Sequence, residues 1–218
     1  MTSLTTAPLA PLLDRLFQEA AAATSPTVAG LSREERERLM RSKTEYLDFY
    51  RRLKDHWLPV SRETGKLLYM LARACRARTI VEFGTSFGIS TLHLAAAIRD
   101  NGGGRLITSE FEPSKVTRAR EHLTAGGLAD MVEIREGDAL KTLAVDLPET
   151  VDLLLLDGAK ALYPEILHLM EMRLRPGALI VADNADFCTE YLERVRSPGS
   201  GYMSIPFTGD VELSMRLG

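Results

Sequence analysis

Thr79-Ile-Val-Glu-Phe-Gly-Thr-Ser-Phe-Gly-Ile-Ser90 begins as a short apolar run, passes two glycines and ends in hydroxyl residues. Gly84 and Gly88 permit a tight turn and a close backbone approach to a ligand. Ser90 and Thr91 offer hydroxyls where a helix would start. From Thr79 onward the chain repeats this unit. Apolar runs at Arg105–Glu110, Met131–Arg135, Val151–Asp157 and Ala178–Asp183 alternate with helical stretches at Ser90–Arg99, Pro113–Ala125 and Tyr163–Arg173, with a short turn after Asp138. Such alternation predicts a parallel sheet with helices on both faces. Leu153–Leu156 and Leu179–Ala182 are continuously apolar, as strands buried on both sides must be. Tyr202–Phe207 and Val211–Leu217, split by Thr208-Gly209-Asp210, read as a closing hairpin.

The first third differs. Leu9, Leu12, Leu13, Leu16 and Phe17 recur at helical spacing, and the stretch Ser25 to Gly30 ends that helix. A Ser-x-x-Glu capping box at Ser32 and Glu35 starts a second helix running into Phe49 and Leu53. A third covers about Ser61 to Cys75. Residues 1–60 therefore read as a helical cap and 61–218 as a cofactor-binding domain, together one structural unit. The sign-alternating stretch Ser32–Arg41 reads as a solvated helix face.

Composition narrows the function classes. The 218 residues are 45% hydrophobic and 26% charged, with net charge −3, so no global basic field would recruit nucleic acid or an anionic membrane. The two cysteines, Cys75 and Cys188, form no metal or disulfide pattern and suit a reducing cytosol. Met1 to Val28 lacks the basic start and apolar centre of a secretory signal. No apolar run reaches the ~18 residues of a membrane helix. The expectation is a cytoplasmic protein.

In open parallel sheets, ligands bind beyond the carboxyl ends of the strands. There the chain concentrates its acids: Glu82, Glu110, Asp157 and Asp183 close four runs, and Gly137-Asp138 follows the remaining one. The loop after the first run has neither the G-x-G-x-x-G of dinucleotide binders nor the Gly-Lys-Ser/Thr of a P-loop. It suits a cofactor with an adenosine and an amino acid but no phosphate, S-adenosylmethionine. Glu82, Gly84, Thr85, Ser86, Gly88 and Ser90 are its candidate contacts in the loop. Glu110 offers two acceptor oxygens to the ribose hydroxyls, and Asp138 meets the exocyclic amine of adenine. Asp157, Asp183 and Asn184, on neighbouring strand ends, form a hard oxygen set suited to Mg²⁺, with Mn²⁺ or Ca²⁺ as alternatives. The four histidines show no ligand spacing and read as structural or surface residues. Trp57 reads as core packing of the cap.

These residues resemble the cation-dependent class I O-methyltransferases of the catechol and caffeoyl-CoA type. The resemblance runs from about Val60 to the C-terminus and rests on Glu82–Ser90, Ile107-Thr-Ser-Glu110, Asp157-Gly-Ala-Lys160, Arg175-Pro-Gly-Ala and Ala182-Asp-Asn184. It implies a Rossmann-like α/β fold, a seven-stranded mostly parallel sheet with an antiparallel last strand. It also implies Gly84, Ser86 and Ser90 at the methionine end of the cofactor, Val60 approaching from the cap, Glu110 at the ribose, and Asp138 with Ala139 at the adenine. Asp157, Asp183 and Asn184 would hold the cation and Lys160 would be the general base. Catechol enzymes carry a glutamate near the C-terminus that holds the second substrate hydroxyl. Here Met203 aligns with it, with no acid nearby in sequence, and the segment 184–209 is shorter than in caffeoyl-CoA enzymes. The expected acceptor is thus a small hydroxylated molecule, phenolic or another natural product. N-methylation is the alternative, disfavoured because Asp157-Gly-Ala-Lys replaces an Asn/Asp-Pro-Pro-Tyr-like loop. A nicotinamide enzyme and a non-catalytic cofactor binder stand further off. The apolar helix around Leu9–Phe17 suggests a homodimer.

Overall fold

Apolar alternation places one sheet through the molecule. In the computed structural model, which describes residues 2–24 and 30–218, the strands are β1 (Thr79–Phe83), β2 (Arg105–Glu110), β3 (Val132–Glu136), β4 (Val151–Leu156), β5 (Leu174–Ala182), β6 (Tyr202–Pro206) and β7 (Glu212–Arg216). They form a seven-stranded sheet in the order β3-β2-β1-β4-β5-β7-β6. Strands β1 to β5 run parallel, and β7 inserts antiparallel between β5 and β6. This is the class I methyltransferase arrangement. The order reverses between β1 and β4, which opens a crevice at their carboxyl ends.

The period-2 alternation divides β4 between two cores. Leu153 and Leu155 pack on one face with α1 (Leu9–Ala22), α4 (Arg62–Ala74) and α5 (Ile89–Asp100). Leu154 and Leu156 pack on the other with α8 (Tyr163–Met170) and α9 (Thr189–Arg196). Leu9, Leu12, Leu13 and Leu16 of α1 are buried within the chain's own core. The apolar face that suggested a second subunit is consumed there.

Two expectations need correcting. The single helix from Ser32 to Leu53 is two, α2 (Arg33–Met40) and α3 (Tyr46–Arg52). Ser32 caps the first, its hydroxyl accepting from Glu35 N at 3.1 Å. Ser42 then accepts from Glu45 N at 3.0 Å, a local side-chain bond that competes with helix continuation. The turn lets Leu39 of α2 meet Phe49 and Leu53 in a small core of their own. The fifth strand also begins at Leu174 rather than Ala178. The stretch expected to end α1 begins at Ser25, and 25–29 lie outside the described residues.

The α4–α5 contact is tight. A Cβ on Gly65 would lie 2.7 Å from the His93 ring. Burial pushes the His93 pKa down to about 4, so the ring stays neutral, and its Nδ1 lies 2.8 Å from Ile89 O. Gly65→Ala should therefore lower the melting temperature by several degrees, since overpacking costs about 1–3 kcal/mol and outweighs the ~0.5–1 kcal/mol gained from alanine's helix preference. A higher melting temperature would show that the ring yields freely.

Candidate active site

The loop after β1 is shaped by three residues with positive φ, Gly84 (+105°), Ser86 (+47°) and Gly88 (+85°). A Cβ on Gly84 would stand 2.6 Å from the Asp157 carbonyl oxygen, so only glycine lets the loop run against the end of β4. Ser86 has no such freedom. Its backbone N–H donates to Glu110 Oε2 at 2.8 Å, which holds the left-handed turn. Gly88 precedes α5 and faces Ala119, so its role is the turn and its packing.

The structure does not bring Glu82 to the cleft. Its carboxylate is fully buried and accepts from Ser90 Oγ and Thr91 Oγ1, each at 2.6 Å. Burial raises its pKa against those hydroxyl bonds. Glu82 lies in a strand covered on both faces, so its side chain turns inward and ties down the first turn of α5. Any contribution to the cofactor goes through Ser90. Thr85 is buried with its hydroxyl 2.6 Å from that of Thr108, and it lines the crevice between the loop and the cap together with Ser86, Ser90 and Val60.

Beside that crevice a larger cleft, about 680 Å³ including its open mouth, runs past Glu110, Asp138 and Ala139. Glu110 Oε1 also accepts from Glu112 N at 3.0 Å, so two backbone donors aim the carboxylate. Burial pushes its pKa up, opposed by Lys115 and those bonds. Lys115, to which no motif in the sequence points, is itself buried on the cleft wall, and burial lowers its pKa. Asp138 caps the short helix α7 (Ala139–Thr142), accepting from Leu140 N at 3.0 Å.

Register brings the remaining acids together. Leu156 pairs with Ala182, Asp157 N donates to Phe83 O, and Asp183 N donates to Leu156 O. The Asp157 and Asp183 carboxyls fall within hydrogen-bonding reach of each other. Lys160 Nζ donates to Asp157 Oδ1 at 2.8 Å and is 5% exposed. Burial and the Asp157 charge push Asp183 up to about 7. Burial works against the Lys160 ammonium, but the neighbouring Asp157 outweighs it and holds Lys160 well above the ordinary lysine range. Without a further positive charge Lys160 is an acid's partner rather than a base.

One acid escapes the sequence motifs. Asp210, in the hairpin turn, accepts from Asn184 Nδ2, and its backbone oxygen accepts from Ala185 N at 2.8 Å. The expectation of no acid near Met203 is corrected by Asp210, seven residues on: Met203 points to solvent on β6, while the turn folds Asp210 onto the end of β5. With Nδ2 given to Asp210, the Asn184 Oδ1 remains for another partner. Two carboxylates and this oxygen fit a hard cation, although no group of three or more His, Cys, Asp or Glu side chains among the described residues is arranged to hold a metal.

A third cleft, about 710 Å³ with its mouth, joins Asp157, Lys160, Asp183 and Asn184 to the cap. Its outer wall includes Arg36, Met40, Phe49, Tyr50 and His56. Asp157 and Leu58 line all three clefts and so mark their junction. Trp57 packs on Phe87 at 4.5 Å between ring centroids, in agreement with a core role. His56, expected to be structural or surface, is half-buried and borders this cleft. Arg175 of the Arg-Pro-Gly motif sits at the opposite edge of the sheet, bound to Asp152.

Residues 81–185 match the family described as "Methyltransferase domain". The sheet order is that of the class I methyltransferase fold. More narrowly, its curated relatives are O-methyltransferases. A catechol O-methyltransferase of Niastella koreensis is 38% identical over 130 residues, 58% of each chain. The chain thus spans about three fifths of that relative's length. An O-methyltransferase of Streptomyces achromogenes involved in tomaymycin synthesis, solved with S-adenosylmethionine (SAM), has a TM-score of 0.67 at 27% identity, covering 94% of this chain and 95% of the other. An O-methyltransferase from Bacillus cereus, solved with S-adenosylhomocysteine (SAH), has a TM-score of 0.71 at 22% identity, covering 99% and 95%. No helix among the described residues is long and apolar enough to cross a membrane.

Proposed function

We propose that this chain moves a methyl group from SAM to a hydroxyl oxygen of a small phenolic acceptor, with a divalent cation at Asp157, Asp183 and Asn184. The observation that carries the reading is Lys160 on Asp157 at the junction of the three clefts. SAM supplies an electrophilic methyl group on sulfur. The cation, Mg²⁺ first among candidates, supplies positive charge that acidifies the acceptor hydroxyl and neutralises the Asp157 charge that otherwise keeps Lys160 protonated.

The chain's own residues do the rest. The Gly84–Ser86 turn would hold the methionine end of the cofactor, Glu110 the ribose and Asp138 with Ala139 the adenine, which would bring the methyl to the junction beside Asp157. Leu58 and Tyr50 wall that junction from the cap side. Aligning oxygen with methyl is worth about 7–11 kcal/mol when the geometry is near attack. As the new O–CH₃ bond forms, the S–CH₃ bond breaks, the sulfonium becomes a thioether, and the hydroxyl proton passes to Lys160 Nζ.

Methyl transfer from labelled SAM to dihydroxybenzenes, in EDTA and then in excess Mg²⁺, tests the proposal. O-methyl products that depend on Mg²⁺ support it. Transfer indifferent to EDTA removes the cation from the account, and transfer to amines alone removes the oxygen.

A further inference from the structure

The stretch Ser32–Arg41 carries four arginines, and three have partners. Arg33 pairs with Glu37 at 2.8 Å and Arg38 with Glu45, while Arg41 donates to Phe187 O at 3.2 Å. Arg36 forms no side-chain bond among the described residues, and its Nε is buried without a partner. It is also the one of the four that lines the third cleft. On the same wall His56 keeps a buried Nδ1 without a partner. A buried polar group left unsatisfied is costly, and Arg36 and His56 present two such nitrogens on the lining of the cleft that also holds Lys160.

We infer that the acceptor carries a carboxylate, held by Arg36 and His56 at the cap end while its hydroxyl lies toward Lys160. The inference rests on the reading of this cleft as the acceptor site. Between the two polar ends, Met40, Phe49, Leu53 and Pro59 supply apolar surface for a flat ring. The charge balance also points to one carboxylate rather than a phosphate. Burial and nearby Lys115 lower the His56 pKa, so it acts as a neutral hydrogen-bonding ring, and of the pair it is Arg36 that brings a full positive charge to the cleft. A guanidinium matches a single planar carboxylate in shape and charge.

The test compares 3,4-dihydroxybenzoate with 3,4-dihydroxybenzamide, which keeps the ring and hydroxyls but loses the charge, in the SAM- and Mg²⁺-supplied enzyme. The acid should be used with a kcat/KM about 10–100-fold higher, the range of one charge-assisted contact. Arg36→Gln should bring the ratio near one, mainly through KM for the acid, and His56→Gln should reduce it in part. Thermal melts of both variants guard against misfolding, because an unfolded variant loses both substrates equally. Equal use of acid and amide by the unaltered enzyme overturns the inference but leaves methyl transfer standing, as does a ratio unchanged in Arg36→Gln. Transfer to neither compound overturns the inference and the acceptor reading together.

Discussion

Lys160→Met should lose methyl transfer by roughly 10²–10⁴-fold in kcat, the usual weight of a general base, while SAH affinity changes little. The separation comes from placement. Lys160 lines the third cleft but neither of the two that would hold the cofactor. Methionine keeps most of the side-chain length against the Tyr163 ring, over which Lys160 Nζ lies at 5.5 Å. Lysine is held protonated here by Asp157, so base catalysis needs the aspartate's charge engaged elsewhere. The remaining activity of the variant should therefore rise with pH, as the acceptor loses its own proton in solution. Kinetics of the variant with saturating Mg²⁺ and a titration with SAH check both halves. Near-normal kcat would show that Lys160 serves to neutralise the acidic pair rather than to take the proton.

Asp183→Asn should weaken cation binding by at least about 10–100-fold, because even partners of metal ligands carry effects of that size. It should also do something a merely damaging substitution would not. In the metal-free protein Asp183 is pushed up to about 7 by burial and by Asp157, whereas an unfolded aspartate titrates near 3.9. A folded-state pKa above the unfolded one means that ionised Asp183 destabilises the fold. That penalty is complete above pH 7 and fades as the pH falls and the folded carboxyl takes up a proton. In EDTA at pH 8 the variant should thus melt above the unaltered protein, with the gap narrowing below pH 7. Added Mg²⁺ should stabilise the unaltered protein and leave the variant nearly unmoved. Melting curves across pH with and without Mg²⁺ read all of this. A variant that melts lower in EDTA at pH 8, or gains as much from Mg²⁺, contradicts the assignment.

The sheet was legible because strands buried on two faces have little freedom in sequence. Leu153–Leu156 and Leu179–Ala182 announce themselves by continuous apolar character and lie in β4 and β5, and the run expected at Arg105–Glu110 has the bounds of β2. The strand-end acids were legible for the same reason, since register fixes where the end of each run lies in the sheet. Chemistry that depends on packing between distant segments was not. Glu82 looks like its neighbours at the strand ends, but it pairs with Thr108, two residues short of Glu110, so its carboxylate stays inside the sheet. Asp210 stands 26 residues from Asn184, and only the antiparallel insertion of β7 beside β5 brings the turn to it. The alternating charges of Ser32–Arg41 describe three solvated arginines correctly. They conceal Arg36, because the break at Ser42 that turns α2 over the cleft is a local hydrogen-bond choice that apolar periodicity does not register.

The most direct measurement is a calorimetric titration of the intact chain with SAM and SAH, with NAD⁺ as control. The cation, the base and the acceptor site all depend on the cleft between Gly84 and Ala139 accepting an adenosine joined to an amino acid. The account predicts micromolar binding of both, weakened at least tenfold in Glu110→Ala, and no heat from NAD⁺. No binding of either sulfur compound by the folded protein would contradict it.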